Sequence, residues 1–204
     1  KKVAETHLYL LNSVEILNNI GILHLDLKHN NIMFDEIRGV PMIIDFGLSY
    51  DTKHLDIPTY IKEESKPFGI CVPFYIPWTI ETILLSYLAN ELKGKGSHIQ
   101  EEKLQMPFDK IAMFKELCNE YVKKNGLLQS KKLFKEEEKE TYRKMLYSWV
   151  ESWKGKTWRN VWVILSNSHK TWDNYSLCAL YLIEMQISGL LHTSNLHEDE
   201  HNSL

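Results

Sequence analysis

At 204 residues and 44% hydrophobic content, the chain can form one large domain around an ample core. A formal net charge of −3 gives no general attraction to nucleic acid or to anionic membranes, so neither is expected as a partner. The three cysteines, Cys71, Cys118 and Cys178, lack C-x-x-C spacing; they fit neither a disulfide framework nor a zinc site, and an intracellular, reducing compartment is expected.

The N-terminal residues lead into an amphipathic run rather than a signal-peptide core. Residues 5–19 carry Leu8, Leu11, Val14 and Leu17 at helical spacing, and Asn18-Asn19-Ile20-Gly21 supplies the stop. Ile22-Leu23-His24 and Ile32-Met33-Phe34 are short apolar pieces around a polar loop, 35–39 reads as a hairpin turn, and 40–45 as the returning strand. Residues 48–75 are mixed and polar, with Pro58, Pro67 and Pro73 as breakers, which predicts an extended loop. Helical patterns resume over 81–93 and 108–124, the latter closed by Gly126. From 131 to 154 the chain is Lys/Glu-rich, with Tyr142, Leu146, Trp149 and Trp153 on one stripe, and Thr157 is placed to cap a short helix bearing Trp158 and Trp162. A last helix, from about Trp172 to Leu190, is apolar nearly all round; with Glu184 and Gln186 inside it, it reads as a buried central helix rather than a membrane span.

Two strings carry chemistry. His24-Leu25-Asp26-Leu27-Lys28-His29-Asn30-Asn31 has the form H-x-D-x-K-x-x-N, and Ile43-Ile44-Asp45-Phe46-Gly47 contains D-F-G. Phosphoryl transfer rests mostly on positioning and charge neutralisation, and the residue types it needs are gathered here. Asp26 is the candidate base that orients an acceptor hydroxyl and takes its proton. Lys28 brings a positive charge to the transferring group, while Asn31 and Asp45 offer a neutral and a charged oxygen ligand of the kind Mg²⁺ takes. Each has a plain reading on its own: D-F-G arises by chance, Asp-x-Lys is commonly a solvated pair, and Asn30-Asn31 are turn residues. The combined spacing, set between apolar strands, outweighs them.

On these motifs the chain resembles the eukaryotic-type protein kinase superfamily. The resemblance implies a mainly α fold: a kinase-like C-terminal lobe with a short β-hairpin at the catalytic loop and a large helical insert, about 85–168, before the central buried helix. Residues 1–191 then form a partial kinase domain and 192–204 a polar tail. It implies ATP and Mg²⁺ as cofactors and a protein substrate as partner, with Asp26 and Lys28 catalytic, Lys28, Asn31, Met33 and Asp45 around the nucleotide, and Asn31 and Asp45 on the metal. Met33 becomes the floor of the adenine pocket, flanked by Ile32 and Phe34, and His24 stacks with Phe46, beside Gly47, in the hydrophobic spine. Pro77-Trp78-Thr79-Ile80-Glu81 looks like a degenerate A-P-E ending with Glu81 as its acidic residue. Asp173, near the start of the last helix, takes the family's role of bracing the catalytic-loop backbone, a position an ordinary N-cap also explains. Lys28 implies Ser/Thr rather than Tyr as acceptor.

The chain departs from that pattern in three places. Leu25 replaces the Arg that pairs with activation-loop phosphate, so activity is expected without phosphate on Thr52, Thr59, Tyr60 or Ser65. The stretch 82–172 is longer than in typical kinases; the favoured reading packs its tryptophans against the lobe and solvates its Lys/Glu face, with a docking module as the competitor. The P-W-x-x-E ending and the insert look similar to kinases of large nucleocytoplasmic DNA viruses, which implies a host-cell cytoplasm. Neither a G-x-G-x-x-G loop nor a V-A-I-K lysine precedes residue 24, so the expectation is a fragment, inactive without the N-terminal lobe as its missing partner. Two other functions compete. A small-molecule phosphotransferase of the aminoglycoside or choline type is opposed by Phe46-Gly47 and by 77–81, and a pseudokinase scaffold by the retention of Asp26, Lys28, Asn31 and Asp45.

Overall fold

The computed structural model describes residues 2–56, 75–93 and 101–189. In chain order these form α1 (Lys2–Asn19), β1 (Ile22–Leu23), β2 (Ile32–Asp35), β3 (Val40–Ile43), β4 (Tyr50–Asp51), α2 (Ile80–Lys93), α3 (Ile111–Lys124), α4 (Glu136–Glu151), α5 (Trp158–Ser166) and α6 (Trp172–Ile187). The chain is thus mainly α, with two small antiparallel sheets, β1–β4 and β2–β3. The expected tail at 192–204, and Thr59, Tyr60, Ser65 and Cys71, lie outside the described residues.

Two cores hold the molecule. The smaller joins α1 to α6 through Leu10, Val14, Leu27 and Leu177, with Ile32 and Ile43 of the hairpin packed on it. The buried face of α1 therefore runs through Leu10 and Val14, and Leu8, expected on that face, is 60% exposed. The larger core runs from β1 and β4 through α2 to α3, α4 and α5, and takes in Phe114, Trp153, Trp158, Trp162 and Trp172. Each such side chain, fully buried, contributes on the order of 2–3 kcal/mol from area alone. Trp153, Trp158 and Trp162 of the 131–166 stretch are core residues and Trp149 is partly buried against them, with Trp162 Nε1 donating to the Leu55 carbonyl at 2.8 Å.

Three further expectations need correction. The extended loop expected from residue 48 onward contains β4, which pairs with β1 in the register Ile22↔Asp51, and a 3₁₀ turn at Thr52–His54. Strands of two residues are too short to show a period. The helix buried nearly all round is α2, where Ile83, Leu84, Leu85, Leu88, Ala89 and Leu92 are all buried, and not α6. Only the first half of α6 is deeply buried; residues 180–186 are partly exposed and Ile187 is 75% exposed. Finally, α3 ends on Asn125, whose Oδ1 accepts the N–H groups of Leu127 and Leu128 at 3.1 and 3.2 Å. Gly126 lies close to Ile76 instead: a Cβ there would meet Ile76 Cδ1 at 2.9 Å, so the end of that side chain would have to shift. Among the described residues no helix is long and apolar enough to cross a membrane.

Candidate active site

The loop after β1 alternates apolar and polar residues, and the alternation sorts them. Leu23 and Leu25 enter the larger core and Leu27 the smaller, while His24, Asp26 and Lys28 are hydrogen-bonded to one another. Leu25, 2% exposed, adopts left-handed backbone with φ 60°. That conformation costs a non-glycine residue about 1–2 kcal/mol. It is over-determined by its partners. Asp173, buried at the start of α6, accepts from His24 N at 2.6 Å and Leu25 N at 2.9 Å, and Trp78 Nε1 donates to the Leu25 carbonyl at 2.7 Å. Hydrogen bonds to a charged group are worth about 1.5–3 kcal/mol each, so two of them on one carboxylate hold the loop in this conformation. Burial pushes the Asp173 carboxyl up, and the two N–H groups only partly offset it.

Asp26 is buried, with both oxygens engaged. Oδ2 accepts from Lys28 Nζ and from Asn31 Nδ2, each at 2.8 Å, and Oδ1 accepts from the hydroxyl of Tyr75. Burial raises its pKa, but the hydrogen bonds from Lys28, Tyr75 and Asn31 together outweigh burial and hold the carboxyl below its ordinary value. The same bond holds the Lys28 ammonium above its own. His24 Nδ1 accepts from Asp26 N at 3.2 Å, which leaves Nε2 to carry the proton and donate to the Ile44 carbonyl at 3.0 Å. The Phe46 ring meets His24 edge-on at 4.9 Å. His24, Asp26, Lys28, Asn31 and Phe46 are thus brought together in one contact network.

Asn31 closes a 3₁₀ turn, His29–Asn31, at the mouth of the hairpin; its carbonyl accepts from Ile44 N at 2.9 Å, which sets the loop against the residue before Asp45. Asp45 is itself left-handed, φ 62°, and its Oδ1 accepts from Gly47 N at 3.2 Å. Asn31 Nδ2 serves both the Asp26 carbonyl and carboxylate, so the remaining polar atom of that amide is an oxygen. A carboxylate and an amide oxygen are hard donors in the number that Mg²⁺ takes when phosphate and water complete its shell, and in that sense the donor set fits the metal. Among the described residues no three His, Cys, Asp or Glu side chains gather into a protein-only cage. Met33 pairs with Met42 across the hairpin, on the face opposite Ile32 and Ile43, and the two are 53% and 37% exposed. They form an apolar platform of the kind a flat ring can cover.

Of residues 77–81, Trp78 is the one that reaches the loop. Thr79 Oγ1 accepts from Thr82 N at 3.2 Å and so caps α2, and Ser176 donates to the Pro77 carbonyl. Glu81 lies in the first turn of α2, near Tyr121, Tyr142 and Tyr175, whose phenols burial pushes up and to which the Glu81 charge adds a smaller push. Tyr75 escapes sequence reasoning, and Trp78 enters it only as part of the Pro77 to Glu81 string, because both meet the loop from about 50 residues away and sit in no periodic pattern.

No family model matches the chain, and no solved structure matches it. Part of the chain is similar to the probable serine/threonine-protein kinase fnkB of Dictyostelium discoideum, with 29% identity over 103 residues. The similarity covers 46% of this chain and 19% of that protein, so the chain spans about a fifth of the relative's length. That supports a distant, kinase-like relationship and no closer one.

Proposed function

We propose that this chain carries the phosphoryl-transfer site of a serine/threonine protein kinase. The observation that carries the reading is the buried Asp26 carboxylate, held by Lys28 and Asn31 in a loop that Asp173 braces. Asp26 is ionised at neutral pH and takes the proton of an acceptor hydroxyl as the bond to phosphorus forms. Lys28, 41% exposed along its side chain, extends from Asp26 toward solvent and neutralises charge on the group being moved. Asn31 and Asp45 would hold Mg²⁺, which when bound screens the phosphates of ATP. The Met33–Met42 platform receives the adenine. Buried Leu25 gives a phosphorylated loop no cation to pair with, so transfer needs no activation-loop phosphate.

The test uses the full-length protein with Mg²⁺ and labelled ATP, offered casein, kanamycin and choline. Label on casein serine and threonine, abolished by EDTA, is the expected result. Label confined to kanamycin or choline points to the small-molecule reading, and hydrolysis-free binding with no transfer to any acceptor points to a scaffold.

A further inference from the structure

We propose that Tyr75 is an internal phosphoacceptor, phosphorylated in cis because its phenol stands where an acceptor hydroxyl has to stand. The inference rests on the phosphoryl-transfer reading above. Three donors meet the Asp26 carboxylate, and two of them, Lys28 Nζ and Asn31 Nδ2, come from the loop itself and share Oδ2. Oδ1 is the oxygen the loop leaves to a substrate, and the Tyr75 hydroxyl is bonded to it. The phenol is positioned by more than that bond. Its ring lies edge-on against Trp78 at 5.8 Å, and the Tyr75 carbonyl accepts from Trp78 N at 2.9 Å. Trp78 in turn is fixed to the Leu25 carbonyl, next to the base. One residue thus sets both the loop and the phenol, which is the orientation an intramolecular reaction requires.

Burial and the Asp26 charge push the Tyr75 phenol up to about 12, so at neutral pH it is a protonated hydroxyl that needs a base. In the step, Tyr75 Oη bonds to the γ-phosphorus of a nucleoside triphosphate. The bond from that phosphorus to the β–γ bridging oxygen breaks, its electron pair leaves on the diphosphate, and the phenol proton passes to Asp26 Oδ1. The chemistry of the acceptor is that of tyrosine, whereas external acceptors remain Ser/Thr, because only a residue tethered beside the base is delivered there without binding.

The full-length protein, dephosphorylated and then incubated with Mg²⁺ and ATP at a series of dilutions beside casein, distinguishes the outcomes by phosphosite mass spectrometry. Phosphate on Tyr75, at a fractional rate independent of protein concentration and lost in Tyr75→Phe, is the expected result. Phosphate on casein with none on Tyr75 overturns the inference and leaves the kinase reading standing. So does Tyr75 labelling whose fractional rate rises with protein concentration. Phosphate on neither acceptor overturns both.

Discussion

The loop at 24–31 and the helices at 101–166 bury different things. Around the loop, His24, Asp26, Asn31 and Asp173 are polar and almost fully buried, and Leu25 and Asp45 hold left-handed backbone. In the helical stretch buried polar groups are few, Asn125 and Lys139, and the largest fully buried side chains are rings: Phe108 meets Trp158 edge-on at 4.9 Å and Phe114 at 5.1 Å, and Phe114 meets Trp153 at 5.8 Å. Thr157 and Asn160 cap α5 reciprocally. Backbone in sparse conformations persists only where its neighbours over-determine it, and such sites cluster where chemistry needs fixed groups. Among the described residues of 101–166 no non-glycine residue has positive φ. Stability and chemistry are therefore separable by substitution.

The largest expected effect is on chemistry. Asp26→Asn lowers phosphate transfer by about 10²–10⁴ per folded molecule, the contribution of a positioned base. The pH profile agrees in sign. The folded carboxyl lies below its unfolded value, so its stabilising bonds are present above the ordinary aspartate range and are lost as pH falls through the folded pKa. No acid limb from Asp26 appears in the rate near neutral pH. Trp153→Ala does the converse: denaturant titration shows about 3–5 kcal/mol lost, with transfer per folded molecule retained. Asp173→Asn joins the two regions' properties, because it leaves one of two loop N–H groups unpaired; about 2–3 kcal/mol of stability and most of the transfer are lost together. Thr157→Ala, which removes only a cap, costs about 1 kcal/mol by the same titration.

What was legible in the sequence follows the range of the interactions. The H-x-D-x-K-x-x-N spacing keeps Asp26, Lys28 and Asn31 in one loop, and the structure bonds all three side chains to one another through Asp26. The hairpin and the Thr157 cap are equally local, and the Trp stripe follows the helical period. The β1–β4 pairing was not legible, since a two-residue strand carries no alternation. Nor was the incomplete burial of α6, whose apolar composition is the same whether or not anything covers it. The seat of Tyr75 on Asp26 depends on how residues 75–78 return to the loop, and no local residue choice encodes that. The Pro77 to Glu81 string drew attention to the right segment through its acidic residue, yet the bond to the loop comes from the Trp78 indole.

The most direct measurement is the initial rate of phosphate transfer from ATP to protein by the full-length chain and its Asp26→Asn variant, compared at equal folded fraction. The expected result is a folded variant whose rate on serine and threonine has fallen by about two to four orders of magnitude. An equally folded Asp26→Asn protein that transfers phosphate at the wild-type rate would contradict the assignment of Asp26 as the base.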